Sequence, residues 1–289
     1  MKRRMAESPS SLIRFIKSKL FLLLERYSRI HITPVHYYSP IPNVSALNSE
    51  TFKKIYGDTG IDWNLEGQLN RLQSVFPNYK NEYEPLQNTG LTLIDSFILY
   101  AMIREKKPRV MVEVGSGETT KISLLALARN REEGNNCQFY AIEPYPGEKL
   151  RGIDEIDFQL IDKKLEDIDV GFLSTADLFF IDSSHVSKVG SDVNYEILEI
   201  VPNLKKGSII HWHDIMFPGE YFEDWVREGR MFWNESYLVN AFMLFNNTFQ
   251  IIWASRYMQL NHSELMTDTF PYFKPDRHRC TSFWIEKIK

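Results

Sequence analysis

Two short runs hold the side chains best suited to chemistry, Phe180-Ile181-Asp182-Ser183-Ser184-His185 and Ile210-His211-Trp212-His213-Asp214. Each sets a carboxylate and an imidazole at the end of an apolar stretch, as at a strand tip that carries reactive groups. If the tips are neighbours, Asp182, His185, His213 and Asp214 converge. Asp182, His213 and Asp214 could then hold a divalent cation. Carboxylates alone suit magnesium, and an added His213 shifts the preference toward manganese, iron or zinc. Such an ion would place a substrate oxygen and lower its pKa. The metal-free alternative has His185 or His213 take the proton, with Asp182 alongside, because an imidazole titrates near neutrality with little tuning. In a third reading these groups only hydrogen-bond one another and the loops. His-x-His-Asp also occurs in metallohydrolases, but seven histidines with no second cluster speak weakly for that.

The other constellation is Val112-Glu113-Val114-Gly115-Ser116-Gly117-Glu118-Thr119-Thr120. Glycines allow a tight turn and close approach of backbone amides to a ligand, and dinucleotide folds use such a turn beside a helix N-terminus. Thr120 stands where the third glycine of G-x-G-x-x-G would be. That weakens an NAD reading and leaves E-x-G-x-G, the form methyltransferases set beside the methionine part of S-adenosylmethionine. A G-x-G alone is weak. Glu143, 28 residues after Gly115 in Ala141-Ile142-Glu143-Pro144, sharpens it. A strand-end carboxylate there can accept bonds from both ribose hydroxyls and would repel a 2′-phosphate. Lys164-Leu165-Glu166 is placed for adenine. The expected cofactor contacts are Glu113, Gly115, Ser116, Gly117, Thr120, Glu143, Pro144, Glu166, Asp182 and Ser183.

Elements that would position these residues follow from periodicity. Helical spacing is expected over 60–75 and 91–105, the second with a wide apolar face and stopped by Lys107-Pro108. Strands are expected at 109–114, 138–142, 158–161, 177–181 and 208–212, with helices through 121–129 and 189–201. Short apolar strands alternating with helices predict a parallel sheet covered on both faces. Runs at 249–257 and 282–288, with no strong helix expected between them, predict an antiparallel pair at one edge. The fold class is therefore α/β: a Rossmann-like, doubly wound, seven-stranded sheet with a reversed last strand. His211 and His213 should share one face and Trp212 the other.

The 289 residues carry a formal charge of −4, which argues against general nucleic-acid binding. Cys137 and Cys280 match no metal or redox spacing. Met1-Lys2-Arg3-Arg4 is basic, but no signal-peptide core follows, so a cytoplasmic protein is expected. Leu12, Ile13, Ile16, Leu20, Leu23, Leu24 and Tyr27 recur at helical spacing, interrupted by Arg14, Lys17, Lys19 and Arg26. A helix over 11–28 cannot span a bilayer. It could rest on a membrane surface or dock on its own core or a second subunit, and docking is the favoured expectation. Residues 31–48, with three prolines, read as an extended connector.

Taken together, EVGSGETT, IEPYP, FIDSSHVSKVGSDVNYEILEIVPNLKKGSIIHWHDI and WNESYLVNAF resemble the bacterial class I methyltransferases grouped as methyltransferase family 24, across about residues 85–260. HYYSPIPNVSAL and DWNLEGQ are similar to the N-terminal part of a subset of that group. The resemblance implies an N-terminal helical and lid segment over 1–85 and a methyltransferase domain over 86–289. It implies transfer of a methyl group from S-adenosylmethionine to a small-molecule acceptor, most simply an oxygen of a polar, sugar-like or ring-containing compound. Relatives include sugar and macrolide O-methyltransferases and cephalosporin-hydroxylase-like proteins; in several of them that use magnesium, an acid of D-x-x-H and an acidic pair after the fifth strand bind the metal. These match Asp182 and His213-Asp214, where a histidine replaces the first acid. His36, Tyr37, Tyr38, Glu66 and Gln68 are candidates to face the acceptor, with Trp233, Asn234 and Tyr237 opposite. N-methylation, a binding protein without turnover, and an NAD-dependent oxidoreductase are the alternatives.

Overall fold

A computed structural model describes residues 9–86, 90–155, 157–270 and 272–289. The basic run 1–4 lies outside them. The chain forms two compact units, Met1–Asn48 and Ser49–Lys289. The first holds α1 (Pro9–Ser28), followed by extended chain with one 3₁₀ turn at Val44–Ala46.

The second unit is built on one seven-stranded sheet in the order β3-β2-β1-β4-β5-β7-β6. Its strands are β1 (Val110–Val114), β2 (Gln138–Ile142), β3 (Phe158–Ile161), β4 (Leu178–Ile181), β5 (Ile209–Trp212), β6 (Phe249–Ala254) and β7 (Phe283–Lys287). The first five are parallel, and β7 runs antiparallel to both β5 and β6. The order reverses at β1, whose neighbours are β2 and β4, so the crevice expected of a doubly wound sheet opens at their carboxyl ends.

Alternation along each strand sorts the side chains between two cores. Met111 and Phe180 join one face with α2 (Leu93–Lys106) and α3 (Thr119–Glu132), while Val112, Val114, Phe179, Ile181 and Trp212 join the other. α2 begins at Thr92, whose Oγ1 accepts from Asp95 N at 3.1 Å, and ends at Lys107 in the left-handed region. It is buried all round rather than on one face, from Ile94 to Arg104. Arg104 is neutralised by Glu82 and Glu133, at 2.8 Å in the first case.

Three expectations need correction. The 60–75 helix is α-helical only over Leu65–Asn70, then passes through a π turn, Arg71–Val75, into a 3₁₀ turn that contains Pro77. The 189–201 helix starts at Asp192, because Gly190 takes a positive φ and Ser191 caps it; a π turn follows at Glu196–Ile200. β6 stops at Ala254, and two helices, Ser255–Asn261 and Ser263–Thr269, occupy the stretch where no strong helix was expected. There Ser255 Oγ accepts from Trp253 Nε1 and donates to Asp95 at 2.7 Å. Met258 and Met266 seat the two helices in the core.

Candidate active site

The glycine turn is shaped by contact with β4. Gly115 has φ +78°, and its N–H donates to Ile142 O at 3.0 Å. A Cβ on Gly115 would lie 1.7 Å from Asp182 O, whereas one on Gly117 would meet nothing within 4 Å. Asp182 N donates to Val114 O at 3.0 Å, which locks the tips of β1 and β4 together. Only the first glycine is therefore required by packing.

Glu113 holds the turn from beneath. Thr119 Oγ1 and Thr120 Oγ1 donate to its Oε1 at 2.6 and 3.0 Å, and Gly117 N donates to Thr120 Oγ1 at 3.1 Å. Burial pushes the Glu113 carboxyl up to about 7, against the pull of the two threonines. Its Oε2 has no protein partner. Glu113 and Thr120 are fully buried and organise the loop from inside.

Above the turn lies a cleft of about 440 Å³ that brings together Gly115, Glu143, Pro144, Glu166, Asp182 and Ser183. Ile142, Tyr145 and Leu165 supply apolar surface to it, and Lys164 a cation. Glu143 Oε1 accepts from Tyr145 N at 2.8 Å. Ser116 and Gly117 line a separate groove of about 490 Å³, which shares Glu143 and Tyr145 with the cleft.

Beyond Asp182 the acidic and imidazole groups gather as follows. His185 takes a left-handed φ of 58° and is buried against Trp233, with ring centroids 4.4 Å apart. Its Nδ1 meets Glu235 Oε2 at 2.9 Å, and its Nε2 lies 3.3 Å from Asp182 Oδ1 and 3.7 Å from Asp214 Oδ2. The helix that starts at Glu235 (Glu235–Met243) also donates N–H groups of Asn234 and Glu235 to His185 O, at 3.1 and 3.3 Å. Burial opposes a charge on His185, but the bonds from Asp182 and Glu235 outweigh it and raise the ring to about 11. Asp182 is likewise opposed by burial yet held below its ordinary value by His185 and His213.

Potential ligand atoms of Asp182, His185 and Asp214 all lie within 4.8 Å of one another. His213 is outside that group of three. Its Nε2 contacts Thr281 Oγ1 at 3.3 Å and Asp214 Oδ1 at 3.4 Å, while Thr281 Oγ1 donates to Asp214 Oδ1 at 3.0 Å. His211 is buried on the same face as His213, stacked on Phe180 at 4.2 Å. Burial drives it well below the usual imidazole range, so it is a neutral core residue.

A family profile described as a methyltransferase domain matches residues 112–215, spanning the glycine turn, Glu143, Asp182, His185 and Asp214. An uncharacterized protein of Archaeoglobus fulgidus is 30% identical over 162 residues, 49% of this chain and 72% of its own length. The chain belongs to the class I methyltransferases, in methyltransferase family 24. This methyltransferase also aligns with solved structures at low identity. A Podospora anserina methyltransferase with bound S-adenosylhomocysteine is 12% identical over 100% of both chains, with a TM-score of 0.42. The O-methyltransferase TomG of Streptomyces achromogenes, in complex with S-adenosylmethionine, is 9% identical over 77% of this chain and 90% of its own, with a TM-score of 0.42. The methyltransferase MycE of the mycinamycin pathway, with magnesium and S-adenosylhomocysteine, is 15% identical over 77% and 54%, with a TM-score of 0.38.

The methyltransferase's most telling addition to the sequence reading is Glu235. It stands in the WNES run, but only the fold shows that its carboxylate anchors His185. Glu196, buried behind it, is pushed well above the usual carboxylate range by burial and by the fields of Glu235 and Asp192. The signal that could have found Glu235 is an acid in the first turn of a helix, too common to single out. Among the acceptor candidates, Trp233 reaches the site, covering His185. Gln68 is buried, bonded to Trp63 O and Ala254 N at 2.6 and 2.8 Å. Asn234 accepts from Ser187 N, and Tyr237 donates to Glu220, which also accepts from Tyr56. Glu66 is exposed. His36, Tyr37 and Tyr38 belong to the first unit and are exposed there.

Proposed function

We propose that this methyltransferase moves the methyl group of S-adenosylmethionine to an oxygen of a small polar acceptor, beside a divalent cation held by Asp182, His185 and Asp214. The observation that carries this reading is the position of Asp182. It lines the cleft that contains Gly115, Glu143 and Glu166, and it also belongs to the acidic and imidazole group. A cofactor in the cleft and an acceptor at that group would therefore meet at one residue.

The cleft fits the cofactor. Its volume lies within the ~300–1,000 Å³ usual for small-molecule sites. With Oε1 engaged by Tyr145 N, Glu143 still has Oε2 to accept from ribose hydroxyls. Ile142, Tyr145 and Leu165 offer an apolar wall for adenine, with Glu166 at its edge for the amino group. The left-handed Gly115 lets backbone come close to the methionine portion. When bound, the sulfonium supplies an already activated methyl group, so the protein's task is to align the acceptor, about 3 Å away and in line.

The acidic group fits a cation by its donor set, two carboxylates and one imidazole. That set favours manganese, iron or zinc over magnesium. Glu235 on His185 Nδ1 and Thr281 on Asp214 Oδ1 orient two of the ligands, as outer partners do in metal sites. A cation there would draw an acceptor hydroxyl into place and ease loss of its proton. Trp233 packs on the buried His185 ring. In this reading residues 86–289 carry the chemistry.

Calorimetric titration with S-adenosylhomocysteine and with NAD, each with manganese or with EDTA, tests the reading. Heat is expected with S-adenosylhomocysteine only. Glu143→Ala should weaken it by about 1–3 kcal/mol through lost charge-assisted hydrogen bonds. No heat with S-adenosylhomocysteine overturns the cofactor assignment, and turnover that survives EDTA overturns the cation.

A further inference from the structure

A cation drawn out of water is normally matched by an acid, and Arg256 is not. It stands in the first turn of the helix Ser255–Asn261 and is half-buried. Its Nε is buried without a partner, and its Nη1 donates to Gln259 Oε1 at 3.0 Å. Burial and the nearby charge of Arg279 pull Arg256 below its ordinary value. Arg279 is exposed and paired with Asp224 at 2.8 Å. Among the described residues, Asp224 is the only acid bonded to either arginine, so the pair keeps a net positive charge.

Phe222 connects this pair to the candidate site. Arg279 and Arg256 lie over its ring, at 4.4 and 5.1 Å from the centroid. Phe222 ends the loop that begins at Asp214 after β5, and a Cβ on Gly219 of that loop would sit 3.6 Å from Arg256 Nε. From Phe222 the rings continue edge to face, to Trp225 at 5.1 Å and from there to Trp233 at 5.4 Å. Trp233 in turn reaches His185 at 4.4 Å. Phe222, Trp225 and Trp233 are all half-buried. A continuous run of rings therefore joins the group of Asp182, His185 and Asp214 to the two arginines. Arg279 is also only two residues from Thr281, which bonds Asp214, and two residues span at most about 7 Å of backbone.

We propose that the methyl acceptor carries an acid group, a carboxylate or a phosphate, which Arg256 and Arg279 hold at Phe222 while its body lies along Trp225 and Trp233. The assignment rests on the transfer reaction proposed above, since it concerns the far end of the same acceptor. A guanidinium fork matches the oxygens of either acid. Arg256 is already set in place, because Gln259, which accepts from it, donates through Nε2 to Pro275 O at 2.9 Å. Little ordering is then lost on binding. A neutral acceptor would leave Arg256 without a counter-charge, and an acid group supplies one.

The test follows the Trp225 indole and Arg256 Nε–H signals in proton–nitrogen spectra of the full chain. Benzoate, phenyl phosphate or neutral benzyl alcohol is added at fixed ionic strength. Both signals should shift saturably with at least one of the acids, and the tighter of the two distinguishes carboxylate from phosphate. Arg256→Gln/Arg279→Gln, read at Trp225, should weaken that acid by at least about tenfold. S-adenosylhomocysteine affinity should stay unchanged in this variant, which shows that it is folded. Arg279→Gln, at an exposed position, should weaken the acid in the same direction. The proposal is overturned by no saturable shift with either acid, by benzyl alcohol binding as tightly as the acids, or by unchanged acid affinity in both variants. A wild-type chain that gives no heat with S-adenosylhomocysteine overturns the transfer reading instead, whereas failure of acid binding alone overturns only this assignment.

Discussion

Gly115→Ala and Gly117→Ala change the same motif by the same methyl group, and the structure predicts opposite outcomes. At Gly115 the new Cβ would lie 1.7 Å from Asp182 O, in a residue whose φ is +78°. An L-residue in the left-handed region costs about 1–2 kcal/mol. The overlap is with backbone rather than with a side chain that can swing away, so the β1 and β4 tips must separate. That strains two hydrogen bonds, Gly115 N to Ile142 O and Asp182 N to Val114 O, each 3.0 Å long. At about 0.5–1.5 kcal/mol for each bond, the total loss is about 2–5 kcal/mol. At Gly117 no atom lies within 4 Å and φ is not positive, so alanine should change stability by less than about 1 kcal/mol. Urea unfolding followed by circular dichroism measures both, and calorimetry with S-adenosylhomocysteine reports the cleft. Gly115→Ala should lose both stability and ligand heat, whereas Gly117→Ala should keep its stability. Equal stability of the two variants, or a loss below about 1 kcal/mol for Gly115→Ala, would refute the argument that backbone contact sets this turn.

Two further predictions concern buried acids. Glu235→Gln keeps the shape of the side chain but removes the charge that faces His185, and should weaken manganese binding by about 10–100-fold; unchanged manganese affinity with intact folding would show that Glu235 does not support a metal ligand. Burial pushes the folded-state pKa of Glu113 up to about 7 from an ordinary carboxyl value of 4.5, so its neutral form favours the folded state. Its contribution is complete below pH ~4.5 and is lost as pH rises through about 7, at about 1.4 kcal/mol per unit, or roughly 3 kcal/mol in all. Glu113→Gln should flatten that part of the stability–pH curve, and a variant curve parallel to the wild type would contradict the burial argument.

Strand positions were readable in the sequence because a parallel sheet buried on both faces demands short apolar runs. All seven strands lie within a few residues of their expected positions. The reversed edge was legible too, but the helices between β6 and β7 were not. Ser255-Arg256-Tyr257-Met258 continues an apolar stretch without a helical period strong enough to register. Where the strand gives way to the helix, Ser255 is tied to Asp95 by a long-range bond. The π turn at Glu196 was equally invisible, since its consequence, a second buried carboxyl behind Glu235, depends on a neighbouring helix.

In the candidate site, residue types at strand tips announced themselves: Gly115, Glu143, Asp182, His185 and Asp214 each end or follow an apolar run. The sequence by itself determined that these groups would face one edge of the sheet, because strand alternation and chain direction are local properties. Tertiary structure decided which of them meet. It tucked Glu113 and Thr120 under the turn and left Ser116 and Gly117 in the adjoining groove. It set His185 between Asp182 and Asp214, and left His213 against Asp214 and Thr281 only. That choice rests on Glu235 and Trp233, about fifty residues downstream, and on Thr281 from the antiparallel edge. No local periodicity encodes contacts made across the fold.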